Sequence, residues 1–305
     1  MYIFIINPIA GNGRGNKVFQ RLKKLDLYRT LEREEHITMY KGHAKKIAQE
    51  IITSTEKITA IIVIGGDGTL NEVVNGISQS GKLVPISYIA AGSGNDFRRG
   101  ANLPQNPTTI LKNILTQKEE RSYWYGNCEI NNEIISFVNC VGVGFDAVVA
   151  DQANRSIFKK ILNKIGLGKF VYVIALIYEL IFYRPLSVKV KIDGKLQIFE
   201  QCFLLTVSNQ PYFGGGMKIN PYANNNQNHF SLLVVDRISK WKVLFLFITV
   251  FFGKHIHFKE VNILSGKNIQ IEPSEVATFQ IDGEIKRIDY CVIKKQPFPL
   301  KVKGY

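Results

Sequence analysis

Ala60-Ile-Ile-Val-Ile64 runs directly into Gly65-Gly66-Asp67-Gly68-Thr69-Leu70-Asn71-Glu72, and this stretch decides how the chain is read. Five apolar residues, four of them β-branched, fit a buried strand of a parallel sheet. Three glycines in the next four positions leave a main chain without Cβ atoms, able to bend and bring N–H groups against an oxyanion. Leu70 to Gly76 predicts the opening of a helix whose positive end faces the same anion. Asp67 would repel a bare phosphate, and it fits once a divalent cation or its water shell lies between them. An ordinary glycine-rich strand-to-helix turn accounts for the same letters.

Working outward, the pattern repeats. Tyr2-Ile-Phe-Ile-Ile6 predicts a strand that leaves through Asn7-Pro8-Ile-Ala-Gly11-Asn-Gly13-Arg14-Gly15, a loop lacking the lysine and hydroxyl of a Walker A motif. Val18 to Leu27 has helical spacing, His36 to Tyr40 predicts a short strand, and a helix opens at Gly42-His43-Ala44 and ends near Thr53. Leu83 to Ala91 predicts another strand, leading into Gly92-Ser93-Gly94-Asn95-Asp96-Phe97. Strands alternating with helices imply parallel crossovers and a layered α/β sheet. Three glycine-bearing loops then fall on its carboxyl edge, where such sheets bind ligands.

From about Tyr125 short strands take over: Ile134 to Val141, Leu186 to Ile192, Gln201 to Val207, Phe230 to Val235, Val261 to Leu264, Asn268 to Ile271, Val276 to Ile281 and Ile288 to Ile293. That spacing predicts an antiparallel sandwich. The expected division is an α/β domain over residues 1–124 and an all-β domain over 125–298, with 299–305 returning to the first. Between the strands, Arg155 to Ile165 predicts a helix with Ile157, Phe158, Ile161, Leu162 and Ile165 on one side and Arg155, Lys159, Lys160 and Lys164 on the other. It suits either an anionic membrane surface or packing on the sandwich with its charges solvated.

Composition narrows the function. At 305 residues, 46% hydrophobic and 21% charged, the chain has the make-up of a globular two-domain protein. A net charge of +14 points to an anionic partner. Its aromatics do not interleave with basic residues as base-stacking platforms require, so nucleic acid is not expected. Cys128, Cys140, Cys202 and Cys291 are too scattered for a zinc ribbon, and they read as reduced cytosolic thiols. His255 and His257 lack a third ligand nearby and read as a polar loop or strand end. Met1 to Pro8 holds no basic leader. The apolar runs Phe170 to Tyr183 and Val243 to Phe252 fall short of the ~20 residues that span a bilayer. A soluble cytoplasmic protein without a transmembrane segment is the expectation.

Asn7-Pro8 with Gly11, Gly65-Gly66-Asp67-Gly68-Thr69 and Gly92-Ser93-Gly94-Asn95-Asp96-Phe97 resemble the diacylglycerol kinase catalytic-domain family. So do Asn139 with Gly142, Gly144-Phe145-Asp146-Ala147, Gly214-Gly215-Gly216 and Asp282-Gly283-Glu284. The family includes soluble bacterial lipid kinases and sphingosine kinases and shares its fold with NAD kinases. The resemblance covers essentially the whole chain, in order. It implies an α/β domain with a parallel sheet, an antiparallel β-sandwich, and ATP in the cleft between them. The nucleotide contacts it implies are Asn7, Pro8, Gly11, Thr38, Gly65, Gly66, Asp67, Gly68, Thr69, Asn71, Glu72 and Ser93. Asn95 and Asp96 lie near the phosphates, and Asp67 serves magnesium. Glu284, with Asp282 beside it, matches the general base on the lipid hydroxyl.

Along an extended segment Asp282 and Glu284 would face one way, as cooperating groups should. Asp-Gly is equally a hairpin signal, and Ile192-Asp193-Gly194-Lys195 is a near copy without the second acid. Gly142-Val-Gly144-Phe-Asp-Ala147 mimics a dinucleotide fingerprint where the chain has already turned antiparallel. Two departures from the family pattern stand out. Asn224-Asn-Asn-Gln-Asn228-His229 holds no acid for a structural magnesium ion, and no aspartate occurs in Tyr123-Trp124-Tyr125-Gly126-Asn127. Phe137, Val141, Phe145, Phe203 and Tyr212 are candidates for an acyl-chain pocket or for core.

The expected function is an ATP- and magnesium-dependent lipid kinase, cytoplasmic and peripheral at an anionic membrane, with diacylglycerol as default substrate. A homodimer is left open. The alternatives are a kinase for a sphingoid base, a polyprenol or another metabolite, and a non-catalytic nucleotide- or lipid-sensing homologue.

Overall fold

In the computed structural model, which describes residues 1–55, 57–116, 119–155 and 180–305, two sheets organise the chain. The helix expected over Arg155 to Ile165 falls, from residue 156 on, outside the described residues, as does most of the apolar run from Phe170.

The first sheet has the order β2-β1-β3-β4-β17-β5. Its strands are β1 (Tyr2–Ile6), β2 (Arg33–Ile37), β3 (Ala60–Gly65), β4 (Ile86–Ala90), β5 (Arg121–Tyr123) and β17 (Leu300–Val302). β1 to β4 pair in parallel, in the register Tyr2–Arg33, Tyr2–Ala60 and Ile61–Ile86. β3 is buried at every position, as a strand covered on both faces must be. Helices α1 (Ala10–Lys23), α2 (Asp26–Arg29), α3 (His43–Ser54), α4 (Asp67–Ser78), α5 (Asp96–Gly100) and α6 (Pro107–Thr116) complete this half. One face of the sheet packs on α3 and α4 through Ile47, Ile51, Val73 and Ile77, and the other on α1 and α6 through Phe19, Leu22, Ile110 and Ile114. The seventeenth strand inserts between β4 and β5, parallel to the one and antiparallel to the other.

The second sheet is antiparallel throughout, in the order β15-β14-β8-β10-β9-β13-β16-β6-β7, with β11 and β12 branching from β10. Its strands are β6 (Gly126–Ile130), β7 (Glu133–Phe137), β8 (Cys140–Gly144), β9 (Leu186–Ile192), β10 (Lys195–Ser208), β11 (Phe230–Asp236), β12 (Val261–Gly266), β13 (Asn268–Pro273), β14 (Ala277–Ile281), β15 (Glu284–Ile288) and β16 (Cys291–Lys295). Alternate residues of β8, β10, β11 and β14 fill a sandwich core containing Phe137, Val141, Leu205, Phe230 and Phe279. The opposite face of β8, β10 and β11 carries a second cluster, which joins Phe145 of α7 (Phe145–Arg155) to Phe203, Leu233 and helix α8 (Lys240–Val250). The five acyl-pocket candidates therefore do not line one space. Phe137 and Val141 are core, Phe145 and Phe203 sit on the other face, and Tyr212 borders a separate polar cavity.

Several boundaries differ from the sequence reading for physical reasons. Ile134 to Val141 is two strands, because Val138 and Asn139 leave the ladder to donate their N–H groups to Asp282. Ile288 to Ile293 likewise divides between β15 and β16. The second parallel strand starts at Arg33, three residues before the apolar signal. Gly142 and Gly144 lie within β8 of the antiparallel sheet and form no dinucleotide loop. Among the described residues no helix is long and apolar enough to cross a membrane, and no three His, Cys, Asp or Glu side chains group as a metal site. His255 is buried with a ring nitrogen 2.7 Å from the Ile219 carbonyl.

Candidate active site between the two sheets

Three loops leave the carboxyl ends of β1, β3 and β4 and pack main chain against main chain. After β1, Gly11, Asn12 and Gly13 all take left-handed dihedrals, with φ of 56°, 58° and 84°. This turn throws the chain over the sheet edge before the helical part of α1 begins. A Cβ on Gly11 would lie 2.1 Å from the Ala91 carbonyl oxygen, so only glycine permits the first loop to touch the third. A Cβ on Gly92 would lie 2.6 Å from the Gly66 Cα, so the second and third loops abut as closely. Arg14 ties this edge together, donating to the Gly92 carbonyl at 3.3 Å.

Asn7 donates to Thr69 Oγ1 at 3.0 Å, while its own Oδ1 is buried without a partner. With the amide turned over, the Thr69 hydroxyl donates and the Asn7 NH2 faces the orphaned direction. Either way a buried polar atom awaits a partner at the mouth of the cradle. Pro8, Thr38, Gly65, Gly66, Gly68 and Ser93 belong to the same edge; the Thr38 N–H bonds the Ile6 carbonyl at 2.8 Å, and Ser93 is exposed. Asn95, itself left-handed with φ 56°, braces the third loop by donating to the Gly92 carbonyl at 3.0 Å.

The helix after β3 starts at Asp67, earlier than the apolar spacing predicts, because the Gly66 carbonyl already accepts from the Leu70 N–H. Asp67 Oδ1 accepts the Phe97 N–H at 3.0 Å, and Oδ2 faces Gly94. Asp96 turns its Oδ2 toward the same glycine, while accepting the Gly215 N–H at 2.9 Å and an Arg99 contact at 3.3 Å. Burial, and then the neighbouring Asp67 charge, push the Asp96 carboxyl up to about 6, and burial raises Asp67 as well. Two acids crowded in this way favour a shared cation. Magnesium binds through one or two carboxylates plus phosphate oxygens and water, so Asp67 Oδ2 beside the glycine cradle fits a magnesium nucleotide.

The loop at Asn224, where the sequence reading finds no acid for a structural magnesium ion, is built from amides. A cavity of about 250 Å³ there is lined by Arg99, Arg121, Lys218 and Asn224 to Asn226, which are cations and amides only among its charged and amide side chains. Asn225 holds the loop by donating to the Gly100 carbonyl at 2.7 Å and accepting the Trp124 N–H at 2.8 Å. Hydrogen bonds do here what a metal ion would do with carboxylates.

On the opposite wall, Asp282 and Gly283 are the two loop residues of the β14–β15 hairpin, with φ of 47° and 87°. This corrects the expectation that Asp282 and Glu284 share one face of an extended segment. The Asp-Gly pair makes the turn, just as Asp193-Gly194 does with φ of 46° and 90°. Asp282 turns inward, where its oxygens accept Val138, Asn139 and Cys140 N–H groups at 2.7, 2.8 and 2.9 Å and Asn71 Nδ2 at 2.9 Å. Glu284 turns outward and pairs with Lys41 at 2.8 Å. It is 46% exposed, so it is open to water. Gln280 fixes the turn, its Oε1 accepting the Gly283 N–H at 2.9 Å.

Two implied nucleotide contacts point elsewhere. Asn71 binds Asp282 and the Ser136 carbonyl, and Glu72 caps α3 by accepting the Gly42 and Ala44 N–H groups at 2.8 and 3.1 Å. Asn71 is nevertheless the hinge of the geometry. It lies one helical turn beyond Asp67 on the same face of α4, and it holds the residue two before Glu284. Together with the Asp96–Gly215 and Lys41–Glu284 contacts, this joins the two halves of the protein beside the candidate crevice. Arg14 and Lys41 escape a sequence reading, because nothing within a few residues of them marks their distant partners.

Among the described residues five further polar atoms are buried without partners: Asp146 Oδ1, Tyr183 OH, Thr206 Oγ1, Ser208 Oγ and, away from the site, His255 Nδ1. Thr206 lies across from Gly142 in the ladder, Gly142 lies across from Gln280, and a Cβ on Gly142 would meet Asp146 Oδ2 at 2.1 Å. Burial lifts the Asp146 carboxyl to about 7. This polar row adjoins the Gln280 side chain that pins the turn before Glu284.

Comparison with known proteins agrees with this geometry. Residues 1–126 match the family model described as the diacylglycerol kinase catalytic domain, and residues 139–302 match the YegS C-terminal NAD kinase beta sandwich-like domain. Over 308 residues the chain is 30% identical to a Bacillus subtilis (strain 168) protein provisionally named lipid kinase YtlR, covering 99% of each. Over 274 residues it is 27% identical to a diacylglycerol kinase of Mycobacterium tuberculosis (strain ATCC 25618 / H37Rv), covering 88% of this chain and 84% of the relative. A crystal structure of a diacylglycerol kinase from Bacillus anthracis str. Sterne shares the fold, with a TM-score of 0.71 at 21% identity, covering 100% of this chain and 96% of the other.

Proposed function

The chain belongs to the diacylglycerol kinase catalytic-domain family, and on that premise we propose that it transfers the γ-phosphate of ATP to the hydroxyl of a lipid. Diacylglycerol is the first acceptor to test, by analogy with the named relatives. The observation behind this reading is the Asn71–Asp282 bond, which ties the helix that begins at Asp67 to the turn that precedes Glu284.

In this reading the glycine loops and the start of α4 cradle the phosphates with main-chain N–H groups. Asp67, with Asp96 behind it, would hold magnesium, which neutralises charge on the phosphates when bound. Glu284 accepts the proton of the attacking hydroxyl as its oxygen bonds the γ-phosphorus and the bond to the bridging oxygen of ADP breaks. Asp282 is a positioning residue here, because its four acceptor bonds leave its oxygens no freedom to meet substrate. The Lys41 pair with Glu284 is exposed and weak, so an arriving acceptor can displace it. The polar row of Asp146, Thr206 and Ser208 suits an acceptor with hydrogen-bonding groups beside its hydroxyl.

Labelled ATP incubated with a total lipid extract, followed by identification of the labelled lipid, tests the reaction and names the acceptor. Glu284→Gln is expected to lower turnover by about 100-fold or more while ATP affinity holds. Loss of both would refute the role given to Glu284. ATP binding without transfer to any lipid would favour the sensing homologue.

A further inference from the structure

Helix α8 covers the aromatic cluster with Val243, Leu246 and Val250, flanked by the half-buried Leu244 and Phe247, and leaves its outer side exposed. Trp241, Phe245, Ile248 and Phe252 recur at intervals of four, three and four residues, and are 78%, 64%, 62% and 73% exposed. They form one stripe along the outward side of the helix, and Ile181 is also exposed, its carbonyl bonded by the Lys240 side chain. Side chains of this size leave roughly 500 Å² of apolar surface uncovered, at the upper end of what monomers tolerate.

The charge around the stripe is of one sign. No Asp or Glu occurs from Arg237 through Lys259, a stretch holding five Lys and Arg residues. Lys240 and Lys242 stand at the start of α8, with Lys254 just past its end, where the Lys218 stem packs within 3.2 Å of the Gly253 position. Among the described residues Lys242 pairs with Glu260 at 2.6 Å and Arg237 with Glu200 at 2.6 Å, while Lys240 and Lys254 show no ion pair. Tryptophan and phenylalanine flanked by lysines match the boundary between acyl chains and anionic headgroups.

We propose that the outer face of α8 is the surface by which the protein docks on an anionic lipid bilayer, Trp241, Phe245, Ile248 and Phe252 entering the acyl boundary while the lysines at both ends meet the headgroups. The placement suits the proposed function. The inner side of α8 packs on the cluster containing Phe145, which follows β8, and the first residue of β8 accepts the Asp282 N–H. A docked helix thus lies over the aromatic cluster that packs on the second sheet. The docking does not depend on the kinase reading and is tested without it.

The chain holds two tryptophans, so Trp124→Phe leaves Trp241 as the sole reporter. Vesicles of equal parts phosphatidylglycerol and phosphatidylcholine should blue-shift its emission and shield it from iodide. Phosphatidylcholine alone should do so weakly, and added salt should reverse much of the effect. Phe245→Ser with Phe252→Ser, both on the exposed side, should weaken vesicle co-sedimentation by about tenfold or more with unchanged circular dichroism. Emission that is already blue and shielded before vesicles are added means that residues 156–179 or a second copy cover the stripe; sedimentation velocity separates these two, and either overturns the proposal. Unchanged co-sedimentation in the double variant overturns it too. Phosphorylation of a short-chain acceptor dispersed in detergent should survive the double variant. Its absence from the parent protein as well would count against the kinase reading and not against docking.

Discussion

Replacing Asp282 by alanine is the sharpest test of the crevice, because one carboxylate there ties three segments together. Its oxygens accept three main-chain N–H groups from residues 138–140 and the Asn71 amide from the other half of the protein. Hydrogen bonds to a charged acceptor contribute roughly 1.5–3 kcal/mol each, so four sum to about 6–12 kcal/mol before relaxation. Against this, withdrawal from water outweighs those bonds and leaves the carboxyl raised to about 6, a desolvation cost that alanine does not carry. Water entering the vacated site will satisfy some of the stranded donors, leaving an expected loss of about 3–5 kcal/mol. Asp193→Ala is an internal control with the same turn. Its carboxylate accepts the Lys267 and Asn268 N–H groups but is exposed, so solvent replaces it at a cost below about 1 kcal/mol. Urea unfolding of both variants, followed by circular dichroism, measures the difference. Equal losses would refute the reasoning, and so would an Asp282→Ala protein of full stability that fails only in turnover, which would make the residue a catalytic group.

Gly92→Ala should drive the second and third loops apart, since its Cβ would meet the Gly66 Cα at 2.6 Å. The fold should lose about 1–3 kcal/mol and ATP affinity should fall about tenfold or more by calorimetry. Glu72→Ala removes the acceptor that caps α3 and should cost about 1–2 kcal/mol in thermal unfolding. Its ATP affinity should stay within about threefold of the parent, because the side chain faces α3 and away from the cradle. The Asp96 carboxyl, at about 6 when folded, binds protons between about pH 4 and pH 6 that the unfolded chain has released. Ligand-free stability should therefore fall as pH rises through that window. Stabilisation by magnesium ATP should grow over the same range, because the cation requires the ionised acids. Thermal shifts with and without magnesium ATP across pH, read against Asp96→Asn, measure both slopes, and a nucleotide effect independent of pH would contradict the shared-cation reading.

Ala60 to Ile64 with the glycines after it, the strand-loop-strand rhythm of the first half and the Asp-Gly turn were all legible in the sequence. Each is decided within a few residues: β-branched side chains favour a covered strand, glycine admits left-handed dihedrals, and Asp-Gly suits a two-residue hairpin. Those local rules also put the three glycine-bearing loops at the carboxyl edge of the sheet. Only packing decided which acids meet at that edge. Asp282 turns inward because donors at 138–140 and on Asn71, 211 residues away, happen to converge there. Glu72 turns to α3 because that helix offers N–H groups without partners. The C-terminal Leu300–Val302 finds its place between β4 and β5 by pairing with strands far back in the chain. The same holds for the bare side of α8. The sequence shows an apolar run from Val243 to Phe252, but which of its residues are covered depends on the aromatic cluster beneath it. Local chemistry sets a turn or a strand by steric preference, whereas a partner at long separation is chosen by whichever buried donors and apolar surfaces the finished packing leaves unmatched.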